Sequence, residues 1–354
     1  MDLYVLDGLN GIQNIINSYQ SIIWNVQYFD KNDFQVIVPA TKENLEAIQV
    51  GSYLVRGDDI SGATFRNVMV VENYQLDFDA ENGWLLTVTG KGLKNIVGQR
   101  IVWQQTNLSG FAETAIRQVI TENIISPTDP KRVIDDFVLS EPKGFTEEIE
   151  IQLFGENIAD WLVETCKTYS FGWDVYIDSG KFIFELYKGT DRTYNQTAVT
   201  PVVFSPEFDN LLSSSYSYNK ERYQNAALVG GEGEGTDQRT ATVGTAEGLE
   251  RFEAYIDGGS VSSNGEIITV ETYTKMLEEY GQTQLNQTAF TQNFSGEIDP
   301  AGMYVINQDY FLGDVVQIEN ESGIKATPRI IEIIYAEDEN GSSVVPTFSE
   351  WEVN

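Results

Sequence analysis

The chain has 354 residues, 41% hydrophobic and 12% aromatic, with 54 acidic against 22 basic side chains, a net charge of −32, one cysteine and no histidine. That length calls for two or three domains with filled cores, not one core and not a disordered chain. The missing histidine excludes His-based triads, His general bases and the usual zinc sites. The single Cys166 excludes an internal disulfide or a CxxC metal site, and the carboxylate surplus repels nucleic acid.

In chain order, residues 1–100 read mainly as strands. The start, MDLYVLDGLNG, lacks the basic region and apolar core of a signal peptide. No stretch reaches the ~18 apolar residues of a membrane span. Synthesis in a cytoplasm and no membrane insertion are therefore expected. Ser21–Tyr28 and Phe34–Val38 flank the turn-rich Asp30-Lys31-Asn32-Asp33. Thr41–Gln49 suits one short helix capped by Thr41. Residues 110–124 predict a helix with Phe111, Ala115, Ile116, Val119 and Ile120 on one face, ended by Ser126-Pro127 and Asp129-Pro130. Residues 157–169 predict a second, capped by Asn157, with the stripe Ile158, Trp161, Leu162, Thr165, Cys166 and Tyr169. Cys166 inside that stripe reads as a small core residue, not a nucleophile. The strands Trp173–Ile177 and Lys181–Tyr187 follow, joined by Asp178-Ser179-Gly180. Residues 199–229 return to β character. Residues 230–248, rich in Gly, Glu and Thr, read as a mobile surface loop; with no Gly-Lys-Ser/Thr they are not a P-loop. A third helix is expected over about 271–292, with Tyr273, Met276, Leu277 and Tyr280 on one face and Gly281 weakening its middle.

Residues 50–89 recur in outline at 312–348. Both segments open with an apolar residue and glycine (Val50-Gly51, Leu312-Gly313), then show Ser-Gly (Ser61-Gly62, Ser322-Gly323) and Thr-x-Arg (Thr64 to Arg66, Thr327 to Arg329). A strand, an acidic turn ending in Asn-Gly (Asn82-Gly83, Asn340-Gly341) and a return strand complete each. Two distant copies of one β module suggest a symmetric assembly part. Gly51, Arg66, Gly83, Gly313, Arg329 and Gly341 are the expected structural or assembly residues.

Catalytic chemistry finds little footing. Asp77, Asp79 and Glu81 alternate as at the start of a calcium loop, but glycine falls one place late at Gly83 and Val88 stands where the closing glutamate belongs. At a hairpin tip, acids such as these, or Glu337-Asp338-Glu339 in the second copy, read as solvated. Carboxylate pairs occur at every spacing in so acidic a chain, so none singles out a glycosidase site. There is no G-x-S-x-G. Trp24, Trp84 and Trp161 read as packing residues. No catalytic residue, cofactor or metal ligand is assigned.

A series of short motifs carries a family resemblance: Trp24 with Asp33-Phe34-Gln35-Val36-Ile37-Val38-Pro39; Gly51; Gly90-Lys91-Gly92-Leu93 and Arg100; Asn157 and Trp161 leading to Phe171-Gly172-Trp173; Gly189-Thr190-Asp191-Arg192-Thr193; Val203-Phe204-Ser205; Asp209-Asn210-Leu211; Gly248-Leu249-Glu250-Arg251-Phe252-Glu253; and Asp309-Tyr310-Phe311-Leu312-Gly313-Asp314. In this order the chain resembles the siphophage tail-hub proteins, the baseplate-hub or tail-tip proteins at the distal end of long non-contractile tails. The resemblance implies an α+β, mainly β fold with two similar small β-barrel domains and inserted α+β domains. The division would be 1–100 for the first barrel, 101–198 for a helix–hairpin domain joined by 230–295, and 199–229 plus 296–354 for the second barrel. It also implies a non-enzymatic homotrimer whose six barrels continue a six-fold tube around passing DNA, without specific DNA binding. Its neighbours would be a distal tail protein, a tape-measure protein and tail-fibre or receptor-binding proteins. The expected place is the virion tail tip, the protein being made in the bacterial host from a phage or prophage. Ending at Asn354, the chain would be a minimal hub. The alternatives are the hub of a phage-tail-like injection device and, from another class, a carbohydrate-binding or glycosidase wall-acting protein.

Overall fold

The computed structural model describes residues 1–264, 268–288, 291–298, 302–320 and 325–349. Its first strands are β1 (Leu3–Leu6), β2 (Ile12–Ile16), β3 (Ser21–Gln27) and β4 (Asp33–Pro39). Along β3 and β4 every second residue is buried (Ile22, Trp24, Val26; Phe34, Val36, Val38), because successive side chains leave opposite faces of a strand. Helix α1 (Lys42–Ala47) starts where expected, the Thr41 hydroxyl accepting from the Asn44 N–H. Strand β5 (Tyr53–Arg56), the small hairpin β6 (Ile60–Ser61) and β7 (Thr64–Phe65), and the long hairpin β8 (Met69–Asp79) and β9 (Gly83–Gly92) complete a first module.

Helix α2 (Lys94–Val97) leads into β10 (Thr106–Phe111), α3 (Ala112–Ile120), β11 (Phe137–Leu139), β12 (Glu148–Leu153), α4 (Ile158–Tyr169), β13 (Gly172–Asp178) and β14 (Lys181–Tyr187). Asn157 caps α4, its Oδ1 accepting from the Ala159 and Asp160 N–H groups. The predicted stripe of α4 packs with Ile116, Ile120, Trp173 and Phe184 in one core. Helix α3 begins later than expected, since Gly110 and Phe111 pair with Ile149 and Glu148 in a ladder. It then widens into a π turn over Thr121–Ile125. The domain's sheet, β11-β14-β13-β7-β6, takes two strands from the first module, so the expected boundary at residue 100 is not a clean break.

Strands β15 (Val203–Phe204) and β16 (Leu211–Asn219) follow. Next, β17 (Ala226–Gly230), β18 (Thr240–Val243), β19 (Glu253–Asp257) and α5 (Val270–Asn286) form a lobe with its own core of Val229, Val243, Tyr273, Met276 and Leu277. Residues 226–229, expected in the second barrel, belong to this lobe. The expected mobile loop contains β18, whose Ala241 and Val243 are buried against it. Helix α5 stops short of its predicted end, where the Thr288 N–H and hydroxyl both turn back to the Leu285 carbonyl. The chain returns through β20 (Thr291–Ile298), β21 (Gln317–Glu319), β22 (Lys325–Ala326) and a second long hairpin, β23 (Ile330–Asp338) and β24 (Gly341–Phe348).

The fold is mainly β, and the central sheet curls into half-barrels. Its order is β16-β20-β24-β23-β3-β4-β9-β8-β5-β1-β2. The two long hairpins repeat one another in register from the bulge to the last pair before the tip. In the first, Val71 faces Gly90, Glu72 bulges, and Asn73↔Thr89 runs to Asp79↔Gly83. In the second, Ile330 faces Phe348, Ile331 bulges, and Glu332↔Thr347 runs to Asp338↔Gly341. A bulge leaves an extra residue and bends the strand, so a shared bulge sets a shared curvature. The Gly51 N–H donates to the Val71 carbonyl and the Gly313 N–H to the Ile330 carbonyl, each at 2.8 Å. Outward from each hairpin lie β4 then β3, and β20 then β16. The duplicated unit is thus β3-β4-β9-β8 and β16-β20-β24-β23. The β3–β4 turn spans residues 28–32; at the same place in the second copy, residues 220–290 carry the lobe.

Candidate assembly interface

The two modules meet where β3 pairs antiparallel with β23, from Gln27↔Glu332 to Ile22↔Glu337. One core runs under both, from Trp24, Phe34 and Val88 to Ile333, Tyr335 and Phe348. Tyr28 pins this joint. Its N–H donates to the Ile331 carbonyl at 2.7 Å, and its buried ring lies against the backbones of Gly172 and Gly313. The phenol accepts from the Gly189 N–H at 3.2 Å and donates to the Ser170 carbonyl at 3.2 Å. Burial pushes its pKa up. Arg329 lies 5.4 Å over the ring and donates to the Gly313 carbonyl at 2.6 Å. Beside it, buried Asp314 accepts from the Thr190 and Phe311 N–H groups and from Arg192 Nε. The joint therefore ties both modules to the α+β domain.

Two buried cations support it. Arg56 of β5 is bound through Nε to Asp59 at 2.6 Å and stacks 3.6 Å from the Tyr335 ring centroid, bridging first module to second. Lys94 of α2 is 1% exposed and donates to the carbonyls of Gln27 and Asp30 at 2.5 and 3.1 Å, holding the β3–β4 turn. Burial lowers its pKa to about 8. Neither residue type invites such a reading from sequence, because long cationic side chains usually lie at the surface.

The face of the sheet away from this core mixes polar side chains with Ile23, Ile37, Leu85 and Lys91. Gln27 and Thr347 donate to the two oxygens of Glu332, the latter at 2.7 Å. Burial, then the nearby Glu332 charge, raises the pKa of Asp33. Asn25, Gln35, Thr87 and Thr89 share that face by register.

The sequence-selected residues divide between these places. Gly51 and Gly313 occupy matching turns with φ of +90° and +95°, the left-handed region that favours glycine. Gly83 and Gly341 close the two hairpin tips. Arg66 and Arg329, read as counterparts, do not coincide: the register matches Arg329 to Val70, through Val315↔Arg329 and Tyr53↔Val70. The β6–β7 hairpin shifts Arg66 away, and it binds Asp174 and Glu185 of the α+β domain instead. Ser322-Gly323 lies outside the described residues. Glu337 is not merely solvated: it accepts from the Tyr19 hydroxyl at 2.7 Å and the terminal ammonium at 2.6 Å. Among the described residues no group of three or more Cys, Asp or Glu is placed to hold a metal ion, and no helix is long and apolar enough to cross a membrane. Cys166 is buried, its thiol pushed up to about 12 by desolvation.

The far strands of the two copies are β16 and β8. Strand β16 is terminal, and β8 beyond its bulge pairs, among the described residues, with β9 alone. Tyr74 and Leu76 of β8 are 49% and 42% exposed, and Tyr216 and Tyr218 of β16 are 37% and 51% exposed. Their counterparts at the internal joint are closed: Ile333, Tyr335, Trp24 and Val26 lie between 0% and 7%.

Residues 2–348 match the family model described as Siphovirus ReqiPepy6 Gp37-like protein. The fold is similar to that of the tail protein from Neisseria meningitidis MC58, at 12% identity and a TM-score of 0.60 over 99% of this chain and 96% of that one. It is also similar to the 43 kDa tail protein of prophage MuSo2 from Shewanella oneidensis, at 14% identity and 0.59 over 99% and 98%. A third similar structure is the prophage tail protein gp18 from Listeria monocytogenes EGD-e, at 13% identity and 0.56 over 100% and 96%. No curated protein matches the sequence.

Proposed function

We infer the role of this chain from its family, for it belongs to the Siphovirus ReqiPepy6 Gp37-like proteins, a phage tail protein family. The reading is a structural hub at the distal end of a phage tail. Three copies form a ring whose six modules continue the six-fold tail tube. The observation that carries it is the duplication: two equal four-strand units stand side by side in one sheet. A chain built as two equal units is what three copies need to present six.

In this reading the face bearing Gln35, Thr87 and Glu332 lines the DNA path, where the carboxylate surplus of the chain leaves phosphate little to hold. The role is structural, not catalytic. Gly51, Gly83, Gly313 and Gly341 shape the repeated hairpins, and Arg66 and Arg329 tie them to the α+β domain and the joint. Ring neighbours are a distal tail protein and tape-measure protein on one side and fibre or receptor-binding proteins on the other. The chain is made in the host and resides in the virion. Electron microscopy of the parent particle tests this: density for three copies at the distal tail is expected. Its absence there overturns the reading.

A further inference from the structure

We propose that the α+β domain carries a binding site for a neutral saccharide, built around the exposed indole of Trp103 beside the π turn that follows α3. The site goes beyond the structural role inferred above and uses no residue of the joint.

The site begins with backbone. Ile101 pairs antiparallel with Asn157. The N–H of buried Val102 donates to the Glu156 carbonyl at 2.9 Å, and its carbonyl accepts from the Gly155 N–H at 2.8 Å. Trp103 follows this anchored stretch and is 59% exposed. Next to it lies the π turn over Thr121–Ile125; such turns often mark functional sites. This one carries buried Asn123, whose Oδ1 accepts from the Trp103 N–H at 3.2 Å and from Arg132 Nη2 at 3.3 Å. The Asn123 Nδ2 donates to the Val119 carbonyl at 3.0 Å, so its own position is fixed. Arg132 also donates to the Ile101 carbonyl at 2.7 Å, and its guanidinium lies 5.0 Å from the indole centroid. Trp103 is thus held by a buried amide and a cation, yet more than half of it stays open to solvent.

The indole borders a cavity of about 450 Å³, an ordinary size for a small-molecule site. Among the described residues, Trp103 is the only apolar residue lining it; the rest carry amides, hydroxyls or the charges of Glu122, Asp129 and Arg132. That composition narrows the ligand. A lipid or an apolar peptide finds one ring and no apolar walls. An anion meets two carboxylates against one guanidinium, in a chain of net charge −32. A cation meets Arg132, and both carboxylates already accept hydrogen bonds: Glu122 from Gln118 Nε2 at 2.8 Å, Asp129 from the Lys131 N–H at 3.0 Å. What fits is an uncharged molecule with one apolar face and many hydroxyls. A pyranose has both: its C–H face lies flat on an aromatic ring, and its hydroxyls donate and accept. Partners for them are in place. Among the described residues, the side chains of Gln104, Ser126 and Thr128 line the cavity without a hydrogen bond of their own, and each can donate and accept.

The test titrates the full chain with glucose, galactose, N-acetylglucosamine and chitotriose, read by saturation-transfer NMR and calorimetry. At least one of these is expected to bind at a single site with a Kd of about 1 mM or tighter. Trp103→Ala weakens that binding by on the order of tenfold or more, and Gln104→Ala weakens it severalfold. Both side chains are exposed, so the urea midpoint stays unchanged in each variant. Trp84→Ala, which removes a similarly exposed tryptophan at a hairpin tip, leaves binding as it was. Failure of all four sugars to bind below ~10 mM overturns the site, as does binding that survives Trp103→Ala or is lost equally in Trp84→Ala. Tighter binding of inorganic phosphate or glucuronate than of any neutral sugar overturns the assignment to a neutral ligand.

Discussion

Gly51 and Gly313 have the same backbone and different surroundings, so alanine at each separates strain from packing. Both lie at φ near +90° and donate to equivalent carbonyls. Forcing an L-residue there costs about 1–2 kcal/mol, offset by the ~0.4–1 kcal/mol gained from a stiffer unfolded chain. At Gly51 a Cβ meets nothing within 4 Å, so Gly51→Ala is expected to cost about 1 kcal/mol. At Gly313 it would sit 2.6 Å from Tyr28 Cδ2 and closer to Cε2. The ring has little room to retreat, because the Gly172 backbone lies equally close to it. Overpacking adds about 1–3 kcal/mol. Gly313→Ala should therefore lie about 1–3 kcal/mol below Gly51→Ala in urea unfolding, with unchanged m-values. In a Tyr28→Ala background the excess should vanish as a coupling energy. Equal losses at the two glycines, or no coupling to Tyr28, would refute the assignment of Tyr28 as the pin of the joint.

Three further outcomes follow from the buried charges and thiol. Asp59→Ala strands the Arg56 cation beneath Tyr335 and is expected to cost about 3–5 kcal/mol, while Arg56→Met with Asp59→Asn costs much less; urea midpoints compare them. Lys94 titrates at about 8 when folded against 10.5 unfolded. The unfolded chain therefore binds more protons between those values, and Lys94's contribution rises with pH by up to ~3 kcal/mol, complete above 10.5 and lost on descent to 8. The difference in urea midpoint between wild type and Lys94→Met should shift accordingly from pH 7.5 to 10, and a flat difference would exclude a buried, depressed lysine. The Cys166 thiol, held up to about 12, should resist a thiol reagent at pH 8 in the native protein and react fully in denaturant; native labelling at the denatured rate would contradict its burial.

Much of the local structure is legible in the residues. Alternation marked β3 and β4, Thr41 and Asn157 marked helix starts, and Asn-Gly pairs marked both long hairpin tips, because these signals act over a few residues. Strands β18 and β20 were missed, since Thr240–Val243 and Thr291–Ile298 are short or polar and hold their form by pairing with β17 and β16. The match of Arg66 to Arg329 failed for a related reason: sequence order cannot show that a hairpin has been inserted between equivalent strands. The sequence by itself determined that one β module occurs twice in an acidic chain with no histidine, because repetition and composition need no coordinates. Only the tertiary structure decided that β23 lies against β3, that Tyr28, Arg56 and Lys94 are buried at or beside that joint, and that β8 and β16 are the far strands of the two copies. Strand partners distant in the chain are chosen by packing and register, and no local pattern encodes them.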